Sequence, residues 1–166
     1  ASIGGTVAWL TDKTGTITNT FTAGDINITL AETTTNYKMV PGVDIAKDPK
    51  VTVTEGSEDC YLFVKIEEST NAKFGDFMTY EIADGWTALT GVDGVYYRTV
   101  LATDTVKAFE VLKENKVTVK ENVTKQMMKD LTEATRPTLS FTAYAVQMAG
   151  SADAAAAWAK VPTTGA

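Results

Sequence analysis

The chain has 166 residues, of which 44% are hydrophobic and 22% charged, and its formal net charge is −6. This size and composition predict one globular domain with a substantial core. The negative charge argues against nucleic acid or an anionic membrane surface as a main partner, because both bind basic surfaces. No apolar run approaches the roughly 20 residues that a membrane helix needs.

The first 30 residues hold two strand-like segments separated by the polar stretch Thr11–Thr16. The first segment, Ser2–Thr11, has the period of two that is typical of a strand with a buried face. Its apolar residues alternate between two sides, with Ile3, Val7 and Trp9 on one and Ala8 and Leu10 on the other. The second segment, Ile17–Leu30, changes phase at Ala23-Gly24, which predicts a bulge or bend there.

The middle of the chain alternates short strands with turns that are rich in Gly and Pro. Strands are predicted at Val51–Val53, Cys60–Glu67, Phe77–Ile82, Val106–Leu112 and Lys116–Val119, and a hairpin between Trp86–Leu89 and Val95–Leu101. The strand from Cys60 is apolar on both sides at its N-terminal end. This pattern predicts a central strand, or one covered on both faces.

The C-terminal part predicts two helices around one long strand. A helix is expected after the capping residue Asn122, ending at Arg136-Pro137. Thr138–Met148 alternates as a strand, and Ser151 caps a short helix that Trp158 anchors. Many short strands with one or two short inserted helices predict a mainly β protein, an antiparallel jelly-roll β-sandwich.

The histidine and cysteine content narrows the chemistry open to this chain. It contains no histidine, which removes the Ser-His-Asp triad, the Cys-His pair and the common zinc ligand sets. Cys60 is its one cysteine, so no internal disulfide can form, and its place in an alternating strand favours a buried thiol. The start at Ala1 is expected for a mature product after signal-peptide removal, and an expression boundary would look the same.

Three other groups of residues carry side chains that could form a site. Five acidic residues could offer oxygen ligands to calcium, but they lack a DxDxDG-like spacing, so solvated turn charges are the favoured interpretation. They are Asp44, Asp48, Glu55, Glu58 and Asp59.

Glu67 and Glu68 are adjacent on a strand and therefore point to opposite faces, so they cannot act together as a pair of catalytic carboxylates. Trp86, Tyr96 and Tyr97 could stack on a sugar, although aromatics beside a hairpin are more often core. The sequence thus predicts no catalytic, cofactor or metal residues.

The N-terminal strand is the feature that a purely structural interpretation explains least well. A free apolar strand at a chain end is an aggregation hazard and has to be covered. It can fold into its own sandwich or complete the sandwich of another subunit by strand addition. The residue pattern alone leaves both possibilities open.

Several segments follow a pattern known from other proteins. Gly5–Lys13 has an aromatic residue followed by Asp-Lys, and Asn19–Leu30 has the form NTF-x-AGD-[IL]-x-[IL]-x-L. Lys38–Gly42, Asp48–Val53 and Cys60–Lys65 add to the match. These segments resemble the mature TasA/camelysin family of secreted Gram-positive surface and biofilm-matrix proteins, the later ones its clostridial members. The resemblance spans most of the chain, and its specific part is the stretch up to Leu30.

The resemblance implies a secreted jelly-roll subunit, in the cell surface or biofilm matrix, that forms fibres by inserting its N-terminal strand into the next subunit. Residues 1–16 would then be donor strand and joint, and residues 17–166 the jelly-roll domain. The donor-strand residues would be Ile3, Val7, Ala8, Trp9 and Leu10. The partners would be further copies of this chain, with other matrix or cell-wall components, and no cofactor is implied.

Some camelysin-type members are described as metalloendopeptidases, which is the main alternative function. The present chain has no histidine and no HExxH motif, so that activity is not carried over and the chain is not expected to be an enzyme. A monomeric surface module that binds glycans through the Trp86–Tyr97 region is a further alternative.

Overall fold

The structure, a computed structural model, describes residues 17–19, 26, 28–31, 39–68, 74–132, 135, 137 and 139–161. These residues form a mainly β protein. Its strands are β1 (Ile17–Asn19), β2 (Ile28–Ala31), β3 (Asp44–Ala46), β4 (Lys50–Val53), β5 (Cys60–Glu68), β6 (Met78–Thr79), β7 (Thr87–Ala88), β8 (Val95–Val100), β9 (Ala108–Glu110), β10 (Lys116–Val119) and β11 (Leu139–Gln147). Its helices are α1 (Phe74–Phe77), α2 (Lys125–Lys129), α3 (Ala154–Trp158) and a 3₁₀ turn (Lys113–Asn115).

The strands form three sheets. The largest has the order β1-β11-β5-β8-β7, and the two smaller ones have the orders β3-β10-β6 and β2-β4-β9. The long strands β5 and β11 pair antiparallel along their whole length, from Leu139 opposite Glu68 to Gln147 opposite Cys60. On the other side of β11 lies β1, which runs parallel to it. β5 is therefore central, as its sequence predicts.

The large sheet is apolar on both faces because each face packs against a different partner. One face, with Leu62, Val64 and Phe141, joins residues of both small sheets in the main core. The opposite face carries Phe63 and Tyr144, which pack under α3 in a second cluster. Cover on both faces explains why Cys60–Phe63 reads as a continuous apolar run.

Trp158 is the residue that holds α3 on this second face. Its ring lies 5.1 Å from that of Phe63 and 5.4 Å from that of Tyr144, centroid to centroid. The side chain of Asp153 caps the helix by accepting a hydrogen bond from the backbone N–H of Ala156 at 2.9 Å. Sequence analysis predicted this helix and its anchor, but it placed the cap two residues too early, at Ser151.

Other differences from the predicted elements have local causes. Ile17–Leu30 is not one strand with a bend: β1 and β2 belong to different sheets, which accounts for the change of phase. The position of Ala23-Gly24 lies outside the described residues. Of Phe77–Ile82 only Met78–Thr79 is a strand, because Phe77 ends a single helical turn that buries Phe74.

The helix predicted after Asn122 is shorter and begins later. Thr124 is its cap: its hydroxyl accepts a hydrogen bond from the N–H of Met127 at 3.0 Å. The described part of the chain thus has three short α-helices, where one or two were predicted. The mainly β class and the hairpin of β7 with β8 are confirmed, whereas the jelly-roll connectivity stays a prediction.

Candidate functional site

The residues predicted to form a donor strand lie outside the described part of the chain. These are Ile3, Val7, Ala8, Trp9 and Leu10. The structure describes the chain from Ile17 onward in this region. Its first described element is β1, which lies on the edge of β11.

The hydrogen-bond pattern of β11 identifies which of its backbone groups face this edge. The N–H of Met148 donates to the carbonyl of Asp59 at 2.9 Å, so this residue pair is hydrogen-bonded. Because bonded and non-bonded pairs alternate in an antiparallel ladder, the even-numbered residues of β11 bond to β5. The odd-numbered residues, Leu139 among them, therefore turn their N–H and C=O toward the outer edge.

β1 pairs with that edge over its three described residues. It lies opposite Ala143, Tyr144 and Ala145, whereas β11 runs over nine residues. Within the described residues, no strand pairs with the outward-facing backbone groups of Leu139 and Phe141. An outward-facing row of N–H and C=O groups is the kind of edge to which an extended segment can add by backbone pairing.

The surroundings of this edge are apolar. Leu139, Phe141, Ala143 and Ala145 are all fully buried, and β2 contacts both β1 and β11. Lys47 is fully buried and places its ammonium 5.3 Å from the centre of the Phe141 ring. A strand that fits here would need apolar side chains on the face directed at the core.

The acidic residues considered for calcium are spread over several separate contacts. Asp44 accepts hydrogen bonds from Thr118 at 2.8 Å and Lys116 at 3.1 Å, and these bonds, that of Thr118 first, hold the pKa of Asp44 below its usual value. Glu55 pairs with Lys107, and Asp59 accepts the N–H of Ala102. Within the described ranges, no three His, Cys, Asp or Glu residues are grouped closely enough to hold a metal ion.

The two adjacent glutamates diverge, as a strand requires. Glu68 accepts a hydrogen bond from the hydroxyl of Tyr80 at 3.1 Å, on the side of the main core. Glu67 lies 3.8 Å from Lys65 and raises the pKa of Tyr144, on the opposite side, in addition to the larger effect of burial. The two carboxylates do not share a site.

The aromatic residues considered for sugar stacking do not form one surface. Trp86 and Tyr96 pack against the main core, whereas Tyr97 packs against the second cluster on the opposite face. The indole N–H of Trp86 donates to the carbonyl of Glu110 at 2.8 Å, and the guanidinium of Arg98 covers its ring. A glycan therefore has no common platform of Trp86 and Tyr97.

Cys60 is fully buried in the main core. Burial, and to a smaller extent the charge of Asp59, raises the pKa of its thiol to about 12, against a weaker opposing effect of Lys107. The thiol is thus neutral at physiological pH and lacks the thiolate that nucleophilic chemistry needs.

The alternation of Leu139, Phe141, Ala143 and Ala145 predicts the strand β11, but it does not show that β1 pairs with it. Among the described helices, none combines the length and apolar character needed to cross a membrane.

Comparison of the chain with protein-family models, curated proteins and solved structures gives no match.

Proposed function

We propose that this protein is the structural subunit of an extracellular filament, in a biofilm matrix or at a cell surface, assembled by donor-strand exchange. The observation that carries the proposal is the position of β1, which lies parallel to the apolar strand β11 at the edge of the large described sheet. The apolar segment Ile3–Leu10 precedes β1 in the chain. The alternation of this segment places apolar side chains on one face, which is what a strand beside the apolar residues of β11 needs.

In this proposal, residues 17–166 form the accepting jelly-roll domain, residues 1–10 the donor strand, and Thr11–Thr16 the joint. Ile3, Val7 and Trp9 enter the neighbouring core, and Ala8 and Leu10 face the other way. Burial of each large apolar side chain contributes about 1.5–3 kcal/mol, and backbone pairing adds to this. A head-to-tail contact of this kind does not close, so it produces a filament.

Electron microscopy of the purified protein tests the proposal. The full chain should form filaments, and deletion of residues 1–12 should leave monomers or unfolded chains. Val7→Asp should act like the deletion, because it buries a charge in the neighbour. Thr14→Asp, in the polar joint, is the matched control and should leave the filaments intact.

A synthetic peptide of residues 1–12 gives an independent test. Added in excess to full-length subunits, it should occupy accepting edges and shorten the filaments, whereas a scrambled peptide should not. Unchanged filaments after the deletion would contradict strand exchange. Chelator-sensitive cleavage of casein by the pure protein would instead favour the protease alternative, and loss of glycan-array binding in Trp86→Ala would favour the binding module.

A further inference from the structure

Arg98 on β8 is held in an unusual environment, away from the edge of β11. Its guanidinium carbon lies 3.9 Å from the centre of the Phe109 ring and 5.0 Å from that of Trp86. Gly85 lies beside it, and a Cβ at that position would crowd Nη2 of Arg98. The guanidinium therefore lies against the two rings and next to the backbone of Gly85.

The hydrogen-bonding capacity of Arg98 is not used within the described chain. Other basic groups have carboxylate partners there: Lys107 with Glu55, Lys113 with Glu81, and Lys116 with Asp44. Arg98 carries five N–H donors, yet its described contacts are the two aromatic faces. Burial also lowers its pKa, which means that the cation has lost hydration that an anion could replace.

The guanidinium opens onto a groove of about 340 Å³. Thr99, Asp104, Thr105, Val106 and Phe109 line the groove together with Arg98. Its volume is at the lower end of the range of ligand sites, which is about 300–1,000 Å³. Val106 is 64% exposed, so the groove offers an apolar wall beside a cation.

The loop that forms this wall is tied down on both sides. Asp104 accepts the N–H of Leu101 at 2.9 Å, and Asp59 accepts the N–H of Ala102 at 2.7 Å. The ammonium of Lys107, almost fully buried, donates to the carbonyl of Ala102 at 3.0 Å. A groove held in this way is formed before a ligand arrives, which reduces the entropy lost on binding.

A strand edge lies next to the guanidinium. The N–H of Ile66 donates to the carbonyl of Gly94, so the even-numbered residues of β8 bond to β5 and the odd-numbered ones face outward. Val95 and Tyr97 have outer partners in Leu89 and Thr87. The backbone N–H and C=O of Thr99 have none among the described residues.

We propose that this groove binds an extended acidic peptide segment of another protein. A Glu or Asp carboxylate of the segment pairs with Arg98, its backbone pairs with Thr99, and a neighbouring apolar side chain packs on Val106 and Phe109. The strand edge selects a peptide over other carboxylates. Asp104, in the same groove, and the net charge of −6 disfavour polyanions such as nucleic acid.

Calorimetric titration of the full chain with the peptide N-acetyl-Val-Glu-Val-amide tests the proposal. The peptide should bind saturably, and its Gln analogue should bind about tenfold more weakly, because it lacks the charge-assisted hydrogen bonds. Arg98→Lys should lose a similar factor, since Lys lacks the planar fork. Equal affinity for the Glu and Gln peptides would overturn the proposal.

Val106→Asp is a second test of the same groove, for the case that a substitution at Arg98 disturbs folding. Val106 is exposed, so the substitution should leave the melting temperature unchanged while its charge repels the Glu peptide and weakens binding by about tenfold. Val43→Asp is the matched control, because Val43 is 49% exposed and lies outside the groove. Equal effects of the two substitutions, or no effect of either, would refute binding at this site.

Discussion

Gly91 and Gly94 share the turn between β7 and β8 and the same type of backbone conformation, but their surroundings differ. Both have positive φ, +83° and +78°, where any other residue costs about 1–2 kcal/mol. A Cβ at Gly91 would meet nothing within 4 Å, whereas one at Gly94 would lie 2.8 Å from the carbonyl oxygen of Ile66. That carbonyl belongs to the backbone of β5 and cannot easily move.

We therefore expect Gly94→Ala to lower the free energy of unfolding by about 2–4 kcal/mol, the sum of the conformational cost and the overlap. Gly91→Ala is the matched control and should cost only the conformational part, about 1–2 kcal/mol. Urea denaturation of the two variants measures the difference. Similar losses for both would show that the contact with Ile66 relaxes freely.

The burial of Cys60 predicts its reactivity. Because the pKa of the thiol is raised to about 12, it should stay protonated and unlabelled by a disulfide reagent at pH 8 in the folded protein. Labelling should become rapid and stoichiometric in denaturant. Rapid labelling of the native protein would mean that this part of the core opens easily.

Arg98 shows why residue-level function was hard to predict. In the run Val95–Val100 it looks like a charge on the exposed side of a strand. Its aromatic neighbours, Trp86 and Phe109, come from a turn and from β9, and no local periodicity brings them together. The groove is a product of tertiary packing.

At the scale of elements, the helix α3 is expected to stabilise the outer face of the large sheet. Trp158→Ala should lower the free energy of unfolding by about 2–4 kcal/mol, because it removes contacts with Phe63 and Tyr144. Ala155→Ser, on the exposed side of the same helix, should change it by less than about 0.5 kcal/mol. Chemical denaturation measures the loss of unfolding free energy. Binding of a hydrophobic dye reports whether the face of the sheet under α3 becomes exposed.

A strand could be predicted from sequence where its alternation of apolar residues lies within one continuous segment. The strand from Cys60 was expected to end at Glu67 and ends at Glu68, and Lys116–Val119 agrees completely. Alternation carries no information about pairing partners, so it could not show that Ile17 and Ile28 begin strands of different sheets. The single turn of α1 was missed because Phe74 and Phe77 are too few to show a helical period.

At the scale of the whole molecule, one thiol and two phenol groups, buried or partly buried, have pKa values shifted in the same direction. Burial is the largest cause of the raised pKa values of Cys60, Tyr80 and Tyr144. A raised pKa means that the native state retains protons that the unfolded state releases. Their contribution to stability is therefore complete below the unfolded pKa and is lost as the pH rises.

We expect stability to fall above pH 9, the unfolded value for Cys60, with Cys60 contributing up to about 1.4 kcal/mol per pH unit. The two tyrosines should add to the decline above pH 10. Denaturation curves from pH 7 to 11 measure the slope, and Cys60→Ala should make it shallower between pH 9 and 10. An unchanged slope in that variant would contradict the assignment.

The direction of β1 has a mechanical consequence. Because β1 runs parallel to β11, a pull on its N-terminal end along the strand axis loads the hydrogen bonds between the two strands in shear. Bonds loaded in shear resist together, whereas bonds at a peeled edge break one after another. In the proposed filament, a subunit linked to its neighbour through the segment before Ile17 would therefore carry tension through bonds that share the load.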